Sequence, residues 1–214
     1  MRINHQALAR ISITFKHAVT VFILALFIQG CDSQKALSRV STEATILAFG
    51  DSLTEGVGTT KQHSYPSVLA QLSGRKVVNA GISGEVTEEG LARLADVIAE
   101  TNPDLMILLQ GGNDILRNHN LQQTKQNLAA MIALAKEQGV QLVLIGVPQK
   151  QLFSDVAPFY KELAEEHKLV FDGELISSLL RTRSYKSDMV HFNKIGYQKM
   201  AEEIYQLLID NGAL

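Results

Sequence analysis

The sequence predicts an α/β fold, an open sandwich in which helices cover a parallel sheet. Three observations predict it. Short, continuously apolar segments alternate with longer segments whose apolar residues recur at helical spacing. The apolar segments do not alternate with polar residues, so both their faces are covered, as in parallel sheets flanked by helices. Finally, the residues best suited to chemistry follow directly after three of these segments. That places them on one edge of the sheet, beyond the strand ends, where such folds bind ligands.

The elements read in order. Thr45–Phe49 is the first strand, followed by a polar loop carrying Gly56 and Gly58. A helix over about Ser64–Leu72 has Ser64 as its N-cap and Pro66 in its first turn. Lys76–Asn79 is a short second strand. The helix over about Thr87–Glu100 places Leu91, Leu94, Ala95 and Ile98 on one face, and Asn102-Pro103 ends it. Leu105–Leu109 is the third strand. A helix over about Leu121–Gln138 buries Leu128, Met131, Ile132 and Ala135 and stops at Gly139. Val140–Val147 is the fourth strand, Asp155–His167 a helix and Leu169–Phe171 the fifth strand. Asn193 caps a last helix to about Asp210, with Met200, Ile204, Leu207 and Leu208 inward.

The 214 residues suffice for one sizeable domain. A net charge of −2 and no Lys/Arg cluster in the body argue against nucleic-acid binding. The single cysteine, Cys31, excludes an intrachain disulfide and leaves no Cys-based zinc site. The first thirty residues differ in kind. Arg2, Arg10 and Lys16 precede an apolar run from Ala18 to Ile28, and no acid occurs before Asp32. Such a run is short for a span of about 20 residues and fits a signal-peptide core. Ile28-Gln29-Gly30-Cys31 resembles a bacterial lipoprotein box, although Gln29 is an unusual occupant of its position. The resemblance implies cleavage before Cys31 and lipid on its sulfur. The chain then divides into a signal segment (1–30), a lipidated tether (31–43) and a domain (44–214). Asp32 after the cysteine resembles an inner-membrane retention signal, which implies an anchored protein facing the periplasm. An ordinary cleaved signal, giving a soluble periplasmic or secreted protein, and an uncleaved anchor helix stay open.

Gly50-Asp51-Ser52-Leu53 ends the first strand. A serine at a strand-to-helix junction holds its hydroxyl in the open, near N–H groups that favour a developing negative charge. Its base candidate is His191, three residues after Asp188 in Asp188-Met189-Val190-His191. A serine needs a base to take its proton, and the histidine needs an acceptor such as Asp188 to fix its tautomer. Oxyanion donors must already be in place. The Asn113 amide in Gly111-Gly112-Asn113-Asp114 follows the third strand, and Gly81 in Asn79-Ala80-Gly81 follows the second. The Ser52 and Gly81 N–H groups complete the set. Asp51 reads as a brace for the turn and Asp114 as a loop hydrogen-bonder.

These four blocks, in this order, resemble those of the SGNH, or GDSL, hydrolase superfamily. Leu109-Gln110-Gly111-Gly112-Asn113-Asp114 with the later Gln122-Gln123-Thr124 is similar to the bacterial thioesterase I / lysophospholipase L1 / arylesterase group. The resemblance covers about Ala44 to the C-terminus. It implies a three-layer α/β/α, flavodoxin-like sandwich of five parallel strands and hydrolysis of acyl esters and thioesters without metal or cofactor. It implies Ser52, Asp188 and His191 as catalytic residues, with Ser52, Gly81 and Asn113 as the oxyanion hole. Phe192 stands where the family commonly has proline, which bears on the shape of that loop. Two rival readings remain: a carbohydrate O-deacetylase of the cell envelope, and a non-catalytic acyl-binding lipoprotein. The absence of tryptophan weighs against a sugar-stacking platform, and the intact triad against the second. A monomer is the default.

Overall fold

A computed structural model of the chain describes residues 36–149 and 155–214. The expected signal segment, Cys31 and the start of the tether lie outside the described residues. Five strands form one sheet: β1 Thr45–Gly50, β2 Lys76–Gly81, β3 Leu105–Leu109, β4 Gln141–Ile145 and β5 Val170–Asp172. All neighbours run parallel, in the order β2-β1-β3-β4-β5. This is the flavodoxin-like order, whose direction of winding switches between β1 and β3.

The helices are α1 Ser52–Glu55, α2 Tyr65–Ser73, α3 Thr87–Thr101, α4 Gly112–Leu116, α5 Leu121–Glu137, α6 Pro158–His167, α7 Leu175–Arg181 and α8 Lys194–Asp210. Helices α2 and α8 pack together, as do α3 with α5 and α5 with α6. Right-handed crossovers put these two groups on opposite faces of the sheet. Ile46–Phe49 and Leu105–Leu108 are fully buried between the layers, which is why their sequences carry no polar alternation. No helix among the described residues is long and apolar enough to cross a membrane.

The five strands and five long helices lie where the sequence places them, with instructive differences. β4 ends at Ile145 rather than Val147, with the Gly146 N–H making the last rung to β5 on the Asp172 carbonyl (2.8 Å). The helix expected from Asp155 starts at Pro158, whose ring suits the first helical turn. Ser64 occupies the N-cap position of α2, but its hydroxyl donates to the Lys61 carbonyl (2.8 Å) instead of accepting from the helix. Helices α1, α4 and α7 occupy stretches to which the sequence assigns no helix. Leu37 and Val40 are buried in the core, and their N–H groups donate to the Asn211 and Ala213 carbonyls at 3.1 and 2.9 Å. Packing onto the domain therefore begins before Ala44.

Candidate active site

The site forms where β1 and β3 end. Gly50 closes β1 against β3: a Cβ there would lie 2.1 Å from the Leu109 carbonyl oxygen, so glycine lets the two strand ends converge. The chain then turns into α1. Asp51 is its N-cap, with Oδ1 accepting the Leu53 N–H at 3.1 Å. Ser52 thus becomes the first helical residue, and its backbone N–H belongs to the helix-terminal set that lacks intrahelical partners.

The Asp188 and His191 loop arrives from the other end of the chain. Its ends are pinned: Ser187 N–H donates to the His191 carbonyl and Asn193 N–H to that of Tyr185. Asn193 also caps α8, accepting from Ile195 and Gly196 N–H at 3.0 and 3.1 Å. Phe192 is fully buried, edge-on to Tyr197 at 5.6 Å. The Tyr197 hydroxyl donates to the Val57 carbonyl at 2.8 Å, tying this loop to the segment after α1. The aromatic that stands in place of proline is therefore an anchor of the loop.

The result is a continuous chain of hydrogen bonds. Ser52 Oγ lies 3.0 Å from His191 Nε2, and His191 Nδ1 lies 2.8 Å from Asp188 Oδ2. Asp188 Oδ1 accepts the N–H groups of Val190 and His191 at 2.9 and 2.8 Å. Partial burial works against the Asp188 charge, but those N–H groups and the imidazole outweigh it and hold its pKa below the ordinary carboxylate value. Asp51 behaves oppositely. Its burial, with Glu85 and Asp114 nearby, raises its pKa to about 7 despite the Leu53 N–H and the adjacent His191.

Asn113 lines the same cavity as Ser52, and Gly81 is not among its lining residues. Asn113 Nδ2 donates to the Glu85 carbonyl at 3.0 Å and leans on Asp51 Oδ2 at 3.4 Å. The Gly81 N–H is taken by its neighbour's side chain, Asn79 Oδ1, at 2.9 Å. Gly81 is glycine for another reason: a Cβ would stand 2.0 Å from the Glu55 nitrogen, so β2 and α1 touch backbone to backbone there. Three residues on, Gly84 sits in the left-handed region (φ +80°) in the turn that the Glu85 N–H closes onto the Ile82 carbonyl. Its N–H has no acceptor among the described residues, and it adjoins the Glu85 carbonyl that holds Asn113. Asp114 is the loop hydrogen-bonder expected, accepting from Thr87 N–H and Oγ1 at 2.9 and 2.6 Å. Arg117 donates to the Gly84 carbonyl at 2.8 Å.

Beside Ser52 opens a cavity of about 410 Å³, whose apolar lining includes Leu53, Ile115, Leu116, Ile176, Leu180 and Met189. Ile176 and Leu180 lie on α7. Their four-residue spacing in Leu175–Arg181 is the signal that would have found this part of the lining. Glu85 and Arg93, beneath Asn113, carry no such signal, because their pairing depends on the turn between β2 and α3.

A model of the GDSL-like lipase/acylhydrolase family matches residues 48–199. Esterase TesA of Pseudomonas aeruginosa is 34% identical over 143 residues, 64% of this chain and 70% of that one. Thioesterase 1/protease 1/lysophospholipase L1 of Escherichia coli (strain K12) is 33% identical over 171 residues, 73% and 79% of the two chains. Among solved structures, the psychrotrophic esterase EstA from Pseudoalteromonas sp. superposes with a TM-score of 0.71 at 20% identity, over 78% of this chain and 97% of that one, a likeness of fold. With the family model spanning the strand ends from which the Ser52–His191–Asp188 chain is built, the protein belongs to the GDSL-like lipase/acylhydrolase family, as an enzyme that hydrolyses ester bonds.

Proposed function

We propose that the chain hydrolyses carboxylic esters and thioesters through an acyl-enzyme on Ser52. The observation that carries this reading is the 3.0 and 2.8 Å hydrogen-bond chain opening directly onto an apolar cavity. Ser52 Oγ attacks the acyl carbonyl as His191 Nε2 takes its proton, and Asp188 stabilises the charged imidazole through Nδ1–H. The tetrahedral oxyanion is met by the Ser52 N–H and the Asn113 amide, whose long contact to Asp51 yields to a better acceptor. The Gly84 N–H, rather than that of Gly81, supplies the third donor. His191 returns the proton to the leaving alcohol or thiol as the carbon–oxygen or carbon–sulfur bond breaks. Water then repeats the sequence to release the acid. The cavity's aliphatic walls favour an acyl chain over a polar sugar.

The test is hydrolysis of p-nitrophenyl esters of increasing chain length, with covalent labelling by a fluorophosphonate. Ser52→Ala is expected to lose labelling and to lower kcat roughly 10⁴-fold or more. Equal labelling of both proteins would overturn the reading. The N-terminal pattern around Cys31 supports an enzyme held at the bacterial envelope by lipid. Its test is Cys31→Ser, expected to release the protein from the membrane fraction.

A further inference from the structure

Below Asn113 lies a buried polar cluster that the reaction sequence above does not use. Glu85 is 4% exposed. Its carboxylate accepts from Arg93 Nε and Nη2 at 2.5 and 2.7 Å and from Gln110 Nε2 at 2.7 Å. Arg93 reaches in from α3, donates to the Ala80 carbonyl on β2 at 2.9 Å, and stacks 4.1 Å above the Phe49 ring of β1. Gln110 follows β3. One carboxylate thereby ties together the C-terminal ends of three strands, while its own backbone carbonyl holds the Asn113 amide.

Stability alone does not account for this cluster. Removing a charge pair from water costs about as much as the attraction returns, so apolar side chains of similar volume would serve the core as well or better. Gln110 Oε1 is buried with no hydrogen-bond partner, a cost that the Nε2 bond to Glu85 must offset. What the cluster delivers is the fixed placement of one carbonyl oxygen.

We propose that Glu85, held by Arg93 and Gln110, is a positioning residue: it fixes the carbonyl that aims the Asn113 amide at the reacting oxygen. This rests on the reading of Asn113 as an oxyanion donor. Glu85 touches no substrate and acts through Asn113. Glu85→Gln keeps the shape but leaves Arg93 without its charge partner, which loosens the turn. Oxyanion donors act only on the transition state, so the loss falls on kcat rather than KM.

The experiment is a double-mutant cycle on the whole protein: wild type, Glu85→Gln, Asn113→Ala and the double variant, with kcat and KM measured separately on a soluble p-nitrophenyl ester. Asn113→Ala is expected to lower kcat about 100–1000-fold, and Glu85→Gln about 10–100-fold with KM within about twofold. In the Asn113→Ala background the Glu85 substitution is expected to cost less than about threefold, because the group it aims is gone. An equal loss in both backgrounds, or wild-type kcat in Glu85→Gln, overturns the positioning role and leaves the esterase reading intact. Wild-type kcat in Asn113→Ala overturns both the donor and its positioner. Should Glu85→Gln fail to fold, Gln110→Met, which removes one of the three donors to Glu85, enters the same cycle and decides it.

Discussion

Asp51 stands one residue before Ser52 and does two jobs with one carboxyl: it caps α1 and touches the Asn113 amide. Burial makes its charge costly, and the sign of the consequence follows by linkage. In the unfolded chain it titrates near its ordinary value of 3.8, whereas in the fold it does so at about 7. Below the lower value the group is protonated in both states and carries no penalty. Between the two, the unfolded chain releases the proton that the fold retains, so this group's contribution to stability declines as pH rises and is fully lost above about 7. Asp188 works in the opposite sense, since its favoured charge stabilises the fold at higher pH and is lost on acidification. Comparing Asp51→Asn with wild type cancels Asp188 and isolates Asp51. The variant's melting temperature relative to wild type is expected to be flat below about pH 4, to climb in its favour up to about pH 7, and to be flat again beyond. A constant offset at every pH would show that Asp51 is not held neutral by burial.

At the scale of elements, two glycines, one closing β2 and one three residues beyond it, separate packing from chemistry. A Cβ at Gly81 would meet the Glu55 nitrogen at 2.0 Å and the Thr54 carbonyl carbon at 2.5 Å, backbone atoms that move only if α1 moves. At Gly84 it would meet only Arg117 Nη2 at 3.3 Å, the far end of a flexible side chain, although φ there is +80°. Gly81→Ala is therefore expected to destabilise by about 3 kcal/mol as α1 is pushed out, and Gly84→Ala by about 1–2 kcal/mol from left-handed strain alone. Urea unfolding of the two variants checks this, and the reverse order would mean that β2 and α1 are not in backbone contact. The same pair marks how far the sequence was legible. A glycine after the second strand is what the motif asks for, and both positions meet that description. Only the Asn79 side chain bonding back to Gly81, and the turn closing at Glu85, distinguish them. Helices α1 and α4 are too short for apolar periodicity to register. The long strands and helices were legible because burial on both faces, or on one, writes directly into residue order. Ser52, Asp188 and His191 were legible as ordered blocks, but their hydrogen-bond distances depend on the Phe192–Tyr197 anchor, which pairing in space alone reveals.

The whole molecule keeps its entry point and its chemistry at opposite edges of the sheet. Residues 37–40 run beside Gln141, Asn211 and Ala213, at the edge where β1 and β4 begin. Ser52 and Asn113 lie where β1 and β3 finish. The six residues of β1 alone span roughly 20 Å between these edges. Two truncations should then behave differently. The described core and the residues lining the Ser52 cavity all come from Leu37 onward, so on removing residues 1–35 kcat/KM on a soluble ester is expected to stay within about twofold of the full chain, a change of under about 0.5 kcal/mol. Removing residues 1–43 also strips Leu37 and Val40 from the core, at roughly 1.5–3 kcal/mol each. For a domain of this size that loss lowers Tm by roughly 10 °C or more. Activity per folded molecule is expected to survive even this second cut, because no residue from 37 to 43 approaches the Ser52 cavity. Thermal unfolding and active-site titration with the fluorophosphonate separate the two effects. An unchanged Tm after the longer truncation would mean that residues 36–43 add nothing to the core, and a fall in kcat per titrated site would mean that the far edge of the sheet is coupled to the reaction.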